Sequence, residues 1–345
     1  MSTAASSPEI GVRLVGTGLA VPDNVVTNDD LAKKMDTSDE WISQRTGIRQ
    51  RHIADENTTV TSLSAQAIKD ALANANLEPG DLDMLIVATL TPEMVTPSSA
   101  ARVAAEIGAK SCGAVDISAA CSGFVYGANM AASLIQTGFY KTVGVVGVEV
   151  LSKITDWEDR RTCVLFGDGA GAAVFTAANK NDEGVDAENL PGCLYQSMGS
   201  DGSRWHELYC PKTEADLPTD GKGAEFSGAF NTLQMNGREI YKFAVKTLQR
   251  SIKGALKATG LDVSDLAVII PHQSNARIIE SAREKLGLAP ERMYINIDRY
   301  GNTSAASVPI CLHELMEDGK LNKGDYVLFV ALGGGLTWAT SLWRL

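Results

Sequence analysis

At 345 residues, with 44% hydrophobic and 21% charged side chains, the chain can bury a sizeable core and is not globally disordered. A net charge of −11 argues against a general nucleic-acid or membrane-surface binder, while leaving room for a local basic patch. Six cysteines without a C-x-x-C pair point to neither a disulfide framework nor a zinc site and fit a reducing cytoplasm, and the longest apolar run, around Val143 to Leu151, is too short to span a bilayer.

Met1 to Pro8 lacks the basic and apolar regions of a signal peptide, and residues 1–11 read as a loose tail. Val12 to Leu19 predicts a first strand. Thr27-Asn28-Asp29-Asp30 is a cap signal for a short helix with Leu31 and Met35 inward. Trp41 stands one helical turn before Arg45: either a packed surface pair, or a stacking platform with a cation for a nucleotide and its phosphates. Thr61 to Ala75 and Ser98 to Ile107 predict helices, and Asp81 to Ala88 and Val143 to Val148 predict strands. The glycine run Gly167-Asp168-Gly169-Ala170-Gly171 turns into another strand. It is not G-x-G-x-x-G opening a helix, so it reads as close backbone packing rather than a dinucleotide fingerprint.

Residues 179–222 are polar and rich in Gly, Asp, Glu and Pro. They read as an irregular connection or insertion with short strands, between an N-terminal half, 12–178, and a C-terminal half, 223–345. His206 and Cys210 lie there without further ligands at zinc spacing. Met235 to Gly260 predicts a helix, Asp265 to Ile270 a strand ending at His272, and Ala276 to Leu286 a helix. Tyr294 to Ile297 predicts a strand, followed by a Gly301-Asn302-Thr303-Ser304 turn into a helix through Met316. Tyr326 to Leu332 predicts a last strand, closed by Gly333-Gly334-Gly335.

Everything is arranged around Asp116-Ile117-Ser118-Ala119-Ala120-Cys121-Ser122-Gly123-Phe124, which places Cys121 where a strand turns into a buried helix. Unpaired N–H groups and partial positive charge at a helix N-terminus favour the thiolate, which is the nucleophile. The bland alternative is an inert buried cysteine. Cys112, Cys163 and Cys311 fall at a strand start or in core elements and read as packing residues. The segment around Asp81 repeats around Asp265, an offset of 184 (265 − 81). Cys121 matches Asn302 at an offset of 181 (302 − 121), so the chain reads as two related βα modules. Ligands bind at the carboxyl ends of strands in such folds, where Cys121, His272 and Asn302 can meet. Two jobs are open to that trio. One is peptidase-like, with the histidine as base. The other is acyl transfer, with an acyl-cysteine and two hydrogen-bond donors to an enolate oxygen.

At Ala119-Ala120-Cys121-Ser122-Gly123-Phe124, His272-Gln273-Ser274-Asn275-Ala276-Arg277, Gly301-Asn302-Thr303-Ser304-Ala305-Ala306-Ser307 and Gly333-Gly334-Gly335-Leu336-Thr337-Trp338 the chain resembles the β-ketoacyl-acyl-carrier-protein synthase III family, from about Val12 to Leu345. The resemblance implies a thiolase-like, five-layered αβαβα fold. It also implies decarboxylating condensation of an acyl-CoA starter with malonyl-acyl-carrier-protein through acylated Cys121, without a metal or redox cofactor. Members are cytoplasmic homodimers in which the partner closes the acyl pocket. By the same resemblance, His272 and Asn302 complete the catalytic set, and the backbone N–H groups of Cys121 and Gly334 form the oxyanion hole. Trp41, Arg45, Arg160 and Asn275 then fall on the coenzyme A site, and Lys242 and Arg277 on the surface where the acidic carrier protein docks. The best-studied acetyl-specific members carry phenylalanine at Thr96 and at Leu332. Smaller residues there predict room for longer starters. An acyltransferase or condensing enzyme of specialised metabolism, using another acceptor, is the alternative. A catalytically dead partner subunit would be expected to lack one of Cys121, His272 and Asn302, and all are present.

Overall fold

The computed structural model describes residues 10–183 and 185–345, so most of the expected tail at 1–11 lies outside the described residues. The first sheet holds β1 (Gly11–Ala20), β2 (Met84–Ala88), β3 (Gly113–Ile117), β4 (Thr142–Glu149) and β5 (Gly169–Ala178), in the order β1-β5-β4-β2-β3. The second holds β6 (Gly192–Ser200), β7 (Leu266–Pro271), β8 (Tyr326–Gly333) and β9 (Thr337–Arg344), in the order β7-β8-β9-β6. β2 runs parallel to β3 and β4, and β7 parallel to β8, as alternating βα units require.

The principal helices are α1 (Asp39–Thr46), α2 (Val60–Asn74), α3 (Ser99–Ile107), α4 (Gly123–Gln136), α5 (Gly237–Thr259), α6 (Ala276–Leu286) and α7 (Ser307–Glu317). α4 and α7 lie between the sheets, where Phe124, Val125, Ala128, Val308 and Leu312 share one core with Val143, Val145 and Phe329. Apolar and small residues dominate the N-terminal turns of both helices, which suits their position between the sheets. α2 and α3 cover the outer face of the first sheet, and α5 and α6 that of the second. The result is the expected five-layered αβαβα thiolase-like fold. Among the described residues no helix is long and apolar enough to cross a membrane.

Two segments differ from expectation. Within the stretch read as irregular, β6 is a nine-residue strand paired antiparallel with β9. It lies at the sheet edge, and one face, with Leu194, Gln196, Met198 and Ser200, is exposed. Tyr294 to Ile297 forms no strand. The Gln273 side chain bonds Tyr294 O at 3.1 Å and Asn296 N at 3.1 Å, supplying partners a ladder would have given, and a short helix, Ile297–Tyr300, follows.

The two halves share a register of 184 around the site. β4 and β8 correspond at both ends (326 − 142 and 333 − 149), and Ala120 corresponds to Ser304 (304 − 120). These two residues share left-handed φ angles of 48° and 49°, and each opens a 3₁₀ turn running into α4 or α7. Cys121 is therefore the counterpart of Ala305. Asn302 stands three residues before that point (305 − 302), which corrects the sequence alignment of the two site residues.

Each strand end supports the other half's turn. A Cβ on Gly147 of β4 would lie 2.2 Å from Ala305 O, and one on Gly333 of β8 would lie 2.7 Å from Cys121 N. Both obstacles are backbone, which cannot swing aside. Gly147→Ala is therefore expected to lower stability by about 3 kcal/mol through overpacking. Chemical denaturation of the two proteins measures it, and an unchanged midpoint would show that the turn yields.

Candidate active site

Cys121 follows β3 by a short run of small residues. The left-handed backbone of Ala120 swings the chain into the 3₁₀ turn, and α4 begins at Gly123. Thr337 Oγ1 fixes the approach by donating to Ala119 O at 2.9 Å. Burial pushes the Cys121 thiol up to about 12, the Ser304 hydroxyl lowers it, and the nearby Glu149 charge raises it. Opposing this desolvation is the N-terminus of a 14-residue helix, which favours an anion.

His272 leaves the end of β7, its N–H bonded to Val330 O at 2.8 Å. The residue is 4% exposed, and burial holds its pKa down to about 3, so it is a neutral imidazole at physiological pH. Its Nδ1 lies 2.7 Å from Ser307 Oγ. Asn302 is clamped by backbone bonds, donating to Leu165 O at 2.8 Å and accepting from Gly167 N at 3.1 Å. Its Oδ1 accepts from Ser304 N at 2.9 Å, which leaves the amide N–H groups to face elsewhere.

Cys121, His272 and Asn302 line one cavity of about 350 Å³, together with Gly333 and Gly334. Leu90, Leu151, Leu208, Ile240, Phe243 and Leu332 make much of the remaining wall apolar. A nucleophile, a neutral imidazole and an amide around a mostly dry space can bind a thioester and stabilise charge on its oxygen.

The other expected residues divide. Asn275 lines this cavity, caps α6 by accepting from Arg277 N at 2.9 Å, and donates to Arg45 O at 3.1 Å, so α1 is tied to the cavity. On α1 the Trp41 ring is covered by both Arg45, 4.5 Å from guanidinium carbon to ring centre, and Arg160, at 4.7 Å. Arg160 also donates to Asp36 O at 2.6 Å. Lys242 and Arg277 are exposed, and Lys242 is 2.5 Å from Glu239. Leu332 is on the cavity wall, whereas Thr96 is exposed in the loop after β2 and is not part of this chain's cavity. Among the described residues no cluster of His, Cys, Asp and Glu is arranged to hold a metal ion.

Models of 3-oxoacyl-[acyl-carrier-protein (ACP)] synthase III match residues 115–191 and, for its C-terminal part, 256–345. The β-ketoacyl-[acyl-carrier-protein] synthase III of Caldanaerobacter subterraneus subsp. tengcongensis is 47% identical over 334 residues, 97% of this chain and 98% of that protein. The chain belongs to the β-ketoacyl-[acyl-carrier-protein] synthase III family. The crystal structure of the Aquifex aeolicus VF5 synthase III matches with a TM-score of 0.86 at 45% identity, covering 97% of this chain and 100% of that one. The priming β-ketosynthase of the R1128 polyketide biosynthetic pathway matches with a TM-score of 0.87 at 32% identity, over 99% of each chain.

In this synthase III chain the sequence reading passed over three polar groups behind the site: Ser307, Ser304 and Glu149. Glu149 is fully buried and accepts from Thr91 Oγ1 at 2.7 Å, Leu90 N at 3.1 Å, and Thr89 Oγ1 and Ser304 Oγ, each at 3.2 Å. A signal for it was present: it is the one charged residue in the Val143 to Leu151 run.

The depressed His272 pKa has a stability consequence. Between its ordinary value of 6.5 and about 3, the unfolded chain binds the proton and the folded chain does not. Stability is therefore lost as pH falls below 6.5, by about 2 kcal/mol on reaching roughly pH 5. His272→Gln, which cannot titrate, is expected to lack this component when urea melts are compared across that window, and identical pH slopes would contradict it.

Proposed function

We propose that this protein catalyses the decarboxylating condensation of an acyl-CoA starter with malonyl-acyl-carrier-protein, giving 3-oxoacyl-acyl-carrier-protein, CO₂ and coenzyme A, through acylated Cys121. The observation that carries the reading is the meeting of Cys121, His272 and Asn302 on one apolar cavity wall at the strand ends of both halves. In the first half-reaction the Cys121 thiolate attacks the acyl thioester. The backbone N–H groups of Cys121 and Gly334 receive the tetrahedral oxyanion, and the coenzyme A thiolate leaves. In the second, His272 Nε2 and Asn302 Nδ2 donate to the malonyl thioester oxygen. CO₂ departs, the enolate carbon attacks the acyl-cysteine carbonyl, and the Cys121 thiolate is expelled. The step needs the imidazole as a neutral donor, which burial supports.

Trp41, Arg45 and Arg160 form the coenzyme A platform in this reading, tied to the cavity through Asn275. Arg160 moves off the indole as the base stacks. The acidic carrier protein docks over α5, where Arg238, Lys242, Lys246, Arg250, Lys253 and Lys257 are all exposed, with Arg277 beside it on α6. That row gives a net acidic enzyme a basic face. The homodimer forms across β3, the half-exposed free edge of the first sheet. The adjoining loop presents Val95 at 91% exposure, and Thr96 reaches the acyl pocket as the neighbour's residue. Leu332 and Thr96 in place of larger side chains favour starters longer than acetyl. The enzyme works in the cytoplasm and uses no metal or redox cofactor. The second reading, a related acyltransferase or condensing enzyme of specialised metabolism using another acceptor, draws on the likeness to the R1128 priming β-ketosynthase.

Intact-protein mass spectrometry with acyl-CoAs of rising length is expected to show a mass gain that malonyl-acyl-carrier-protein removes as ketoacyl product. Cys121→Ala abolishes the gain and Cys112→Ala keeps it. Acylation by acetyl-CoA alone would overturn the starter assignment, and a gain that the chase leaves in place would point to another acceptor. Lys242→Glu is expected to raise KM for the carrier-bound substrate several-fold at low salt, with a smaller effect at high salt and none on acylation by acyl-CoA. A salt-independent effect would place the carrier protein elsewhere.

A further inference from the structure

Glu149 is a buried acid that the mechanism above does not use. Side-chain alternation along β4 puts it on the inner face, after Val143, Val145 and Gly147, so it points at the junction of the two halves. Ser304 is the residue it meets there. The Ser304 hydroxyl is 3.2 Å from Glu149 Oε1, and Ser304 lines the same cavity wall as Cys121, whose thiol it helps to ionise. A hydroxyl has a single proton. While the Glu149 carboxylate holds that proton, Ser304 presents only lone pairs to Cys121, which disfavours a thiolate. When Glu149 is protonated, its own O–H donates to Ser304 Oγ, and the serine proton turns to the sulfur.

We propose that Glu149 is a positioning residue for the nucleophile: through Ser304, its carboxyl decides whether a hydrogen bond is offered to the Cys121 thiolate. Ser304 has little other freedom. Its N–H holds Asn302 Oδ1 at 2.9 Å, and its φ of 49° is fixed by the turn. The hydroxyl is the part left to move. Burial pushes Glu149 up to about 7, so the carboxyl changes state in the range where a cytoplasmic enzyme works. The groups around this corner leave few competing titrations. Thr89, Leu90 and Thr91 contribute uncharged donors, and Glu93 beyond them pairs with Arg102. Asp168 before β5 accepts from Ser152 and Ala54, and His272 across the cavity is neutral. Among the described residues no cation pairs with Glu149.

The inference rests on the reading of Cys121 as nucleophile, and its test reads the thiolate rather than condensation. Alkylation of Cys121 in the whole enzyme by iodoacetamide is followed by peptide mass spectrometry from pH 5.5 to 9. In Glu149→Gln the amide has no charge and donates to Ser304 Oγ, freeing the serine proton for the sulfur. Its alkylation rate is expected to exceed wild type by about threefold or more near pH 8 and to converge with it near pH 6, where Glu149 is already protonated. Adding Ser304→Ala should remove most of that advantage. A ratio that is the same at all pH values would mean a packing role and overturn the proposal, as would equal rates throughout. Should Glu149→Gln not fold, Thr91→Val removes the 2.7 Å bond to the carboxylate and is expected to move the break in the wild-type profile to higher pH. An unmoved break would overturn it. A protein that shows this pH split but forms no acyl-enzyme would sink the condensing reading and leave this one standing.

Discussion

The site depends on one steric constraint: the inner strands of the two sheets must end against the backbone of the opposite half's turn. Gly147 lets β4 approach Ala305 O, and Gly333 lets β8 approach Cys121 N, at distances where a Cβ would collide. Because α4 and α7 fill the layer between the sheets, their N-terminal turns are pressed together at the same end of the molecule. Cys121 and Asn302 are thus brought into one cavity by packing that involves neither side chain. The glycine at the end of β8 also leaves the Cys121 N–H uncovered, which an oxyanion site requires. In β4 the corresponding end carries Glu149, so the duplicated halves differ where the chemistry is divided between them.

Desolvation dominates the electrostatics of this cavity. It raises the Cys121 thiol to about 12, raises Glu149 to about 7 and lowers His272 to about 3. All three shifts favour the neutral form, so the resting cavity carries little charge and suits an apolar acyl chain. The same low polarity strengthens any hydrogen bond made to charge that develops on a thioester oxygen. The thiolate is the one charged state the reaction must reach. The α4 N-terminus and the Ser304 hydroxyl are the groups placed to favour it.

Much of this was legible in the sequence, for physical reasons. The strand before Cys121, the small-residue turn and the apolar helix after it have strong periodic signatures, as do β4, β8 and α6, and all lie where the pattern put them. The histidine at the end of β7 followed from the same logic. What escaped was set by contacts distant in sequence. β6 lies at the edge of its sheet and mixes Gly, Ser and Gln with Cys, Leu, Tyr and Met on both faces, so its pattern carries no clear strand signal. Tyr294 to Ile297 has strand-like composition, but the Gln273 amide takes its backbone groups. The repeat register was misjudged at the site because Asn302 looks like the counterpart of Cys121 by chemistry, whereas the matched backbone angles belong to Ala120 and Ser304. Thr96 was assigned to the acyl pocket by resemblance, and in a single chain it faces outward.

Those two left-handed residues carry the argument further. A non-glycine residue at φ near 50° costs about 1 kcal/mol or more relative to its relaxed backbone, and glycine would occupy either turn without that strain. Each therefore retains a side chain at a place where none is sterically favoured. Ala120 contributes its methyl to the cavity wall beside Cys121. Ser304 contributes the hydroxyl bonded to Glu149 on the wall it shares with Cys121, while its backbone N–H aims the Asn302 amide. Glycine at 304 would keep that N–H bond and lose the hydroxyl. The strain at Ser304 thus goes with a hydroxyl bonded to Glu149 on the cavity wall that Cys121 shares, and the strain at Ala120 with a methyl on that same wall.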